Sequence, residues 1–106
     1  MIIVTTDFVT GYELETIGMA KGSCVQTVHA GKDIFNSLKT LVGGELTSYT
    51  KMMDESRAVA TDRMITDAQK MRADAVISVR YSTSSITQSA AECTVYGTAV
   101  RLKKQV

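Results

Sequence analysis

The sequence predicts one α+β domain, a mainly antiparallel sheet of about four strands with a short and a long helix packed on one face, in the order β-β-α-α-β-β. Three observations carry this expectation. Short β-branched and apolar runs stand at both ends of the chain. Between them, apolar residues recur every three or four positions from Leu46 to about Arg72. Glycines, with no proline anywhere, punctuate the rest.

Taken in order, Ile2 to Thr5 is a short β-branched stretch and reads as the first strand. Gly11 marks a turn. From Tyr12 to Ala30, Leu14, Ile17, Met19, Val25 and Val28 give a strand-like pattern interrupted by Gly18 and Gly22. Glycines inside a strand signal bulges or bends. After Gly31, the residues Ile34, Phe35, Leu38, Leu41 and Val42 fall on one face of a short helix, with Asp33 near its positive end and Gly43-Gly44 breaking it. The long helix follows. Its seam is Leu46, Tyr49, Met53, Ser56, Ala60, Met64, Ala68 and Met71. Opposite the seam, Lys51 with Glu55, Arg63 with Asp67, and Asp67 with Lys70 stand at neighbour spacing, which predicts weak surface pairs. Ala75 to Tyr81 reads as a strand, Ser82 to Ser89 as a polar turn and Ala90 to Lys103 as a final strand that closes an antiparallel hairpin.

The totals bound the function. A chain of 106 residues with 44% hydrophobic and 22% charged residues fits one domain, residues 1–106, with one core. Twelve basic against eleven acidic residues leave +1, which gives the whole-chain field no pull on nucleic acid or an anionic membrane. Arg101, Lys103 and Lys104 form a solvated basic cluster that discourages edge pairing. The opening Met1-Ile2-Ile3-Val4-Thr5-Thr6-Asp7 has neither a basic leader nor a sustained apolar run, so a cytoplasmic location is expected. Cys24 and Cys93 are too sparse for a disulfide framework and are expected as buried free thiols.

Element length points to assembly. A helix from Leu46 to Arg72 would span about 40 Å, while a compact domain of this size is roughly 34 Å across. A straight final strand overshoots as well, unless Gly97 bends it. That strand also alternates Ala91, Cys93, Val95 and Ala99 with a second partly apolar face of Tyr96, Val100 and Leu102. Two helical stripes cover one face of a four-stranded sheet, which leaves the other to a neighbouring subunit. A closed homo-oligomer is therefore expected.

Motifs spread along the chain then carry a resemblance. They are Val4-Thr5-Thr6, Gly18-x-x-Lys21-Gly22, Gly31-Lys32-Asp33, Leu41-Val42-Gly43-Gly44-Glu45-Leu46 with Tyr49, the Arg57 to Ala60 stretch, Ala73-Asp74-Ala75-Val76-Ile77 and Gly97-Thr98-Ala99-Val100. In this order and spacing the chain resembles the YbjQ-like family of small proteins labelled heavy-metal-binding. The resemblance implies a dodecin-like subunit arranged in a pentameric ring. Arg72 departs from it, since similar proteins carry glycine at the end of the long helix; a left-handed cap would cost Arg about 1 kcal/mol, so the helix is expected to end differently.

Chemistry is sparse. Soft-metal donors are limited to Cys24, His29 and Cys93, with no C-x-x-C and no second histidine. Cys24 and His29 are the candidate ligands for a divalent or soft metal ion, although five residues place them on opposite faces of a regular strand unless a bulge or a ring axis gathers them. Nucleophilic catalysis would need a base beside Ser or Cys, and His29 is the only imidazole. Gly43-Gly44 before Thr47 and Ser48 resembles a phosphate cradle, but Glu45 opposes an anion there. A flavin, suggested by the dodecin-like fold, would need an aromatic platform, whereas Phe8, Tyr12, Phe35, Tyr49, Tyr81 and Tyr96 are scattered. The expectation is a non-enzymatic oligomeric binding or scaffold module with any small ligand or metal between subunits. Metal sequestration comes second and a small-molecule enzyme third.

Overall fold

A computed structural model describes residues 1–27, 46–87 and 90–105. Side chains are described within these spans except at Thr27, residues 46–49, Ile86 and Thr87. The predicted short helix, Gly31, Gly43-Gly44 and His29 lie outside the described residues, and so do the side chains of Leu46 and Tyr49. The elements are β1 (Ile2–Ile3), β2 (Tyr12–Thr27), α1 (Leu46–Lys70), β3 (Ala75–Thr87) and β4 (Ala90–Lys104). They build an α+β fold with one helix among the described residues and a four-stranded sheet of order β1-β3-β4-β2.

The sheet is mixed rather than purely antiparallel. β1 runs parallel to β3, with Ile2 opposite Ala75 and Ile3 opposite Val76. The chain holds this arrangement beyond β1: Val4 N–H donates to the Val76 carbonyl, while Val79 and Ser78 donate to the carbonyls of Val4 and Thr6. A two-residue strand carries no directional pattern, so its parallel pairing could not be read in advance.

β3 runs through Thr87, well past the expected boundary at Tyr81. Ser82 to Ser85 look like a turn in sequence because they bury nothing, yet Ser82, Thr83 and Ser84 pair with Thr94, Cys93 and Glu92 of β4. Main-chain pairing decides the strand there. β2 spans 16 residues and pairs with β4 along its whole length.

Two irregularities divide the sheet into two cores. β2 shifts register between Thr16 and Gly18, and β3 shifts between Ile77 and Arg80, where Ser78 has φ 53°. A one-residue insertion exchanges the faces of everything beyond it. Before the bulges, Leu14, Ala75 and Ile77 gather with Val100, Leu102, Val4 and Val9 on the face away from the helix. After them, Ala20, Cys24 and Val79 turn to the helix side and pack with Cys93, Val95, Ala99, Ala60, Met64 and Ala68. β4 keeps one register throughout, so both of its faces become apolar. The expected two-faced final strand is what the structure contains.

Helix α1 buries the predicted seam at Met53, Ser56, Ala60, Met64 and Ala68. Gly22 permits its close approach, since a Cβ there would lie 2.1 Å from the Ala60 carbonyl oxygen and 2.4 Å from the Met64 nitrogen. Gly97 serves β3 in the same way; its Cβ would lie 2.7 Å from Val76 Cγ1. The glycine expected to bend the strand thus sits against its neighbour, and the register shifts lie in the strands on either side.

The helix ends in a left-handed cap despite Arg72. Arg72 has φ 60°, Ala73 N–H donates to the Ala68 carbonyl at 3.1 Å and Arg72 N–H to the Gln69 carbonyl at 3.0 Å. These are the two bonds of a Schellman ending. The expectation of a different ending is corrected, because the bonds and the packing of Met71 and Ala73 against the core hold Arg72 in place. Arg72→Gly is accordingly expected to raise stability by about 1 kcal/mol, read as an upward shift of the urea midpoint at unchanged slope.

Candidate functional site

Cys24 and Cys93 are directly opposite each other in the β2–β4 ladder. Both are free, at 6% and 0% exposure, and share the helix-side core with Ala60 and Met64. The bulge before Gly18 produces this meeting by setting the parity of Gly18, Ala20, Gly22 and Cys24 against Ala99, Gly97, Val95 and Cys93.

The helix completes the frame around this end of β2, which is an edge strand. Asp67 Oδ2 accepts from the Lys21 main-chain N–H at 3.0 Å, and Arg63 donates to the Ser23 carbonyl at 2.6 Å. Sequence spacing suggested that Arg63, Asp67 and Lys70 would pair with one another on a wet helix face. Instead, the first two reach the sheet edge and satisfy main-chain groups that would otherwise face water. Among the described residues, the ion pair found on α1 is Arg57 with Asp54, at 2.8 Å. Lys21, Arg63, Thr66, Asp67 and Lys70 border an open cleft of about 340 Å³ along this edge. Three cations surround one carboxylate there, and Arg63 and Asp67 are already engaged by the backbone.

Of the predicted metal ligands, Cys24 is buried in the helix-side core, while His29 lies outside the described residues. The described structure therefore brings Cys24 to Cys93. Among the described residues no group of three or more His, Cys, Asp and Glu side chains converges. Two sulfur donors fit a soft ion of low coordination number and do not complete the tetrahedral shell of a structural zinc site. The aromatic residues are dispersed: Tyr81 lies on the helix side, its hydroxyl 2.8 Å from Thr61 Oγ1, while Tyr96 is exposed on the far face. No helix among the described residues is long and apolar enough to cross a membrane.

Comparison with known proteins gives these features a family. A UPF0145 protein of Clostridium novyi (strain NT) is 56% identical over 102 residues, covering 96% of this chain and 99% of its own. Another, from Fervidobacterium nodosum, is 57% identical over 105 residues, with 98% and 97% covered. A crystal structure of a DUF74-family protein of unknown function from Pediococcus pentosaceus matches the fold with a TM-score of 0.70 at 17% identity, covering 97% of this chain and 98% of that one. Residues 1–103 match the YbjQ family model, described as "Putative heavy-metal-binding", and this chain belongs to that family.

Proposed function

We propose that this chain is the subunit of a closed homo-oligomer, a pentameric ring in the cytoplasm, and that it acts without catalysis as a binding or scaffold module with its ligand between subunits. One observation carries the reading: on the half of the sheet's far face beyond the bulges, the large apolar side chains Met19, Val25 and Tyr96 are left bare among the described residues, interleaved with polar ones such as Lys21, Ser23 and Thr94. Met19 is 62% exposed, Val25 52% and Tyr96 41%. The N-terminal segment covers the other half through Val4 and Val9. The occupant that fits is a second copy, because the adjoining outer edge of β3 is also open. β1 ends at Ile3, and at Tyr81 and Thr83 no described strand pairs with that edge. A strand edge beside exposed apolar side chains interleaved with polar ones suits an interface between copies.

Light scattering and native mass spectrometry at micromolar concentration are expected to give one mass of five chains. The double substitution Met19→Asp and Val25→Asp is expected to reduce it to a folded single chain. A wild-type monomer would overturn the reading.

Metal sequestration is the second reading, favoured by the buried dithiol and by the family's description. A ring could add symmetry-related donors to it.

A further inference from the structure

We infer that Cys24 and Cys93 form a two-thiolate site for a soft, low-coordinate cation of the copper(I) class. The inference deepens the metal reading by giving it a location and a cation class. The hydrogen bonds at the edge of β2 decide between this site and a disulfide. Lys21 and Ser23 turn their main-chain groups outward to Asp67 and Arg63. Main-chain direction alternates along a strand, so Gly22 and Cys24 turn theirs inward, toward Val95 and Cys93. Cys24 and Cys93 are therefore a hydrogen-bonded pair, the wide kind, with Cα atoms about 5.5 Å apart. Cβ atoms in such pairs lie near the upper end of the cross-strand range of about 4.5–5.5 Å, whereas a disulfide draws them to about 3.8 Å. A cation held between two sulfurs separates them by up to twice the metal–sulfur distance, about 4.6 Å at the zinc–thiolate length and somewhat less for copper(I), which suits the wider spacing. The pair thus favours an interposed atom over an S–S bond.

The surroundings select the cation. Both thiols lie in a core of alanine, valine and methionine, with Met64, a thioether, fully buried in the same cluster. Thiolate and thioether donors prefer copper(I), and a dry site disfavours ions that retain water. Binding replaces two S–H protons by one metal, with both protons released to solvent and no change in oxidation state of copper or sulfur. The bound unit carries one net negative charge, adjacent in the chain to the Ser23 carbonyl that Arg63 holds. The site lies three residues from the first residue of β4, so the cation reaches it by opening of the strand ends rather than through the middle of the sheet.

The test is anaerobic titration of the reduced, untagged full chain with copper(I) against a competing chromogenic chelator. The expected result is one tightly held copper per chain, near-ultraviolet thiolate charge-transfer absorption, and X-ray absorption showing two sulfur ligands at a distance shorter than the about 2.3 Å of a tetrahedral zinc–thiolate bond. Cys24→Ser and Cys93→Ser are each expected to weaken retention by at least about a hundredfold. Cys24→Ala and Cys93→Ala, with circular dichroism on all four variants, separate ligand loss from unfolding. Folded single variants that hold copper as tightly as the wild type would overturn the proposal. So would nitrogen or oxygen ligation, or air oxidation to an intramolecular disulfide with the fold unchanged. Copper retained through other residues would refute this location while leaving the general metal reading in place. Light scattering on the same samples reports on the ring independently.

Discussion

Gly22→Ala is expected to cost about 3 kcal/mol or more and to lower the thermal midpoint by roughly 12–24 °C. One methyl group is the whole change. It would enter a space where the Ala60 carbonyl oxygen and the Met64 nitrogen lie 2.1 and 2.4 Å from the new Cβ. Both neighbours are backbone, so no rotamer change makes room. The helix must lift from β2, and Ala20, Cys24 and Met64 then lose contacts that packing density in a core makes costly to forfeit. Gly18→Ala supplies the control, since a Cβ there meets nothing within 4 Å; its change should stay within about 0.5 kcal/mol. Comparable melting of the two variants would refute the close helix–sheet contact.

Met64→Ala is expected to be nearly as damaging, at about 2–5 kcal/mol by urea denaturation with an unchanged slope. Met64 is the largest fully buried side chain among the described residues and faces the sheet at the level where α1 crosses β2 and β4. Its neighbours are mostly small, including Ala20, Ala60, Ala68 and Ala99, and alanines have no side-chain freedom with which to fill a cavity. Met52→Ala, at a half-buried position on the same helix, should cost distinctly less. Equal losses would mean that the core does not centre on Met64.

These positions also show what a single sequence can disclose. The seam through Met53, Ala60, Met64 and Ala68 was legible because a helix repeats its buried face every three or four residues. β4 was legible because alternation persists through its whole length. The extension of β3 through Ser82 to Ser85 was not, since those residues are exposed and carry no apolar signal. Parallel pairing of Ile2–Ile3 was hidden by brevity. Gly18 and Gly22 looked equivalent in sequence, yet one stands at a register shift and the other beneath a helix. The dithiol was harder still. Cys24 and Cys93 are 69 positions apart, and whether they meet depends on the strand register, hence on the single-residue shift before Gly18. Arg63 and Asp67 were visible as charges but misread as partners, because spacing on a helix cannot reveal a strand edge beside it.

That edge has a further consequence. An uncovered strand can recruit another chain, and each addition exposes a fresh edge, so growth becomes fibrillar. The Lys21 N–H and the Ser23 carbonyl, two of the groups such growth would use, are already bonded to the chain's own helix. A sheet with one edge occupied in this way cannot be extended there without detaching Asp67 and Arg63. The two side chains thereby act as a stop on polymerisation, and their loss would show first as turbidity on prolonged storage rather than as a lower melting temperature.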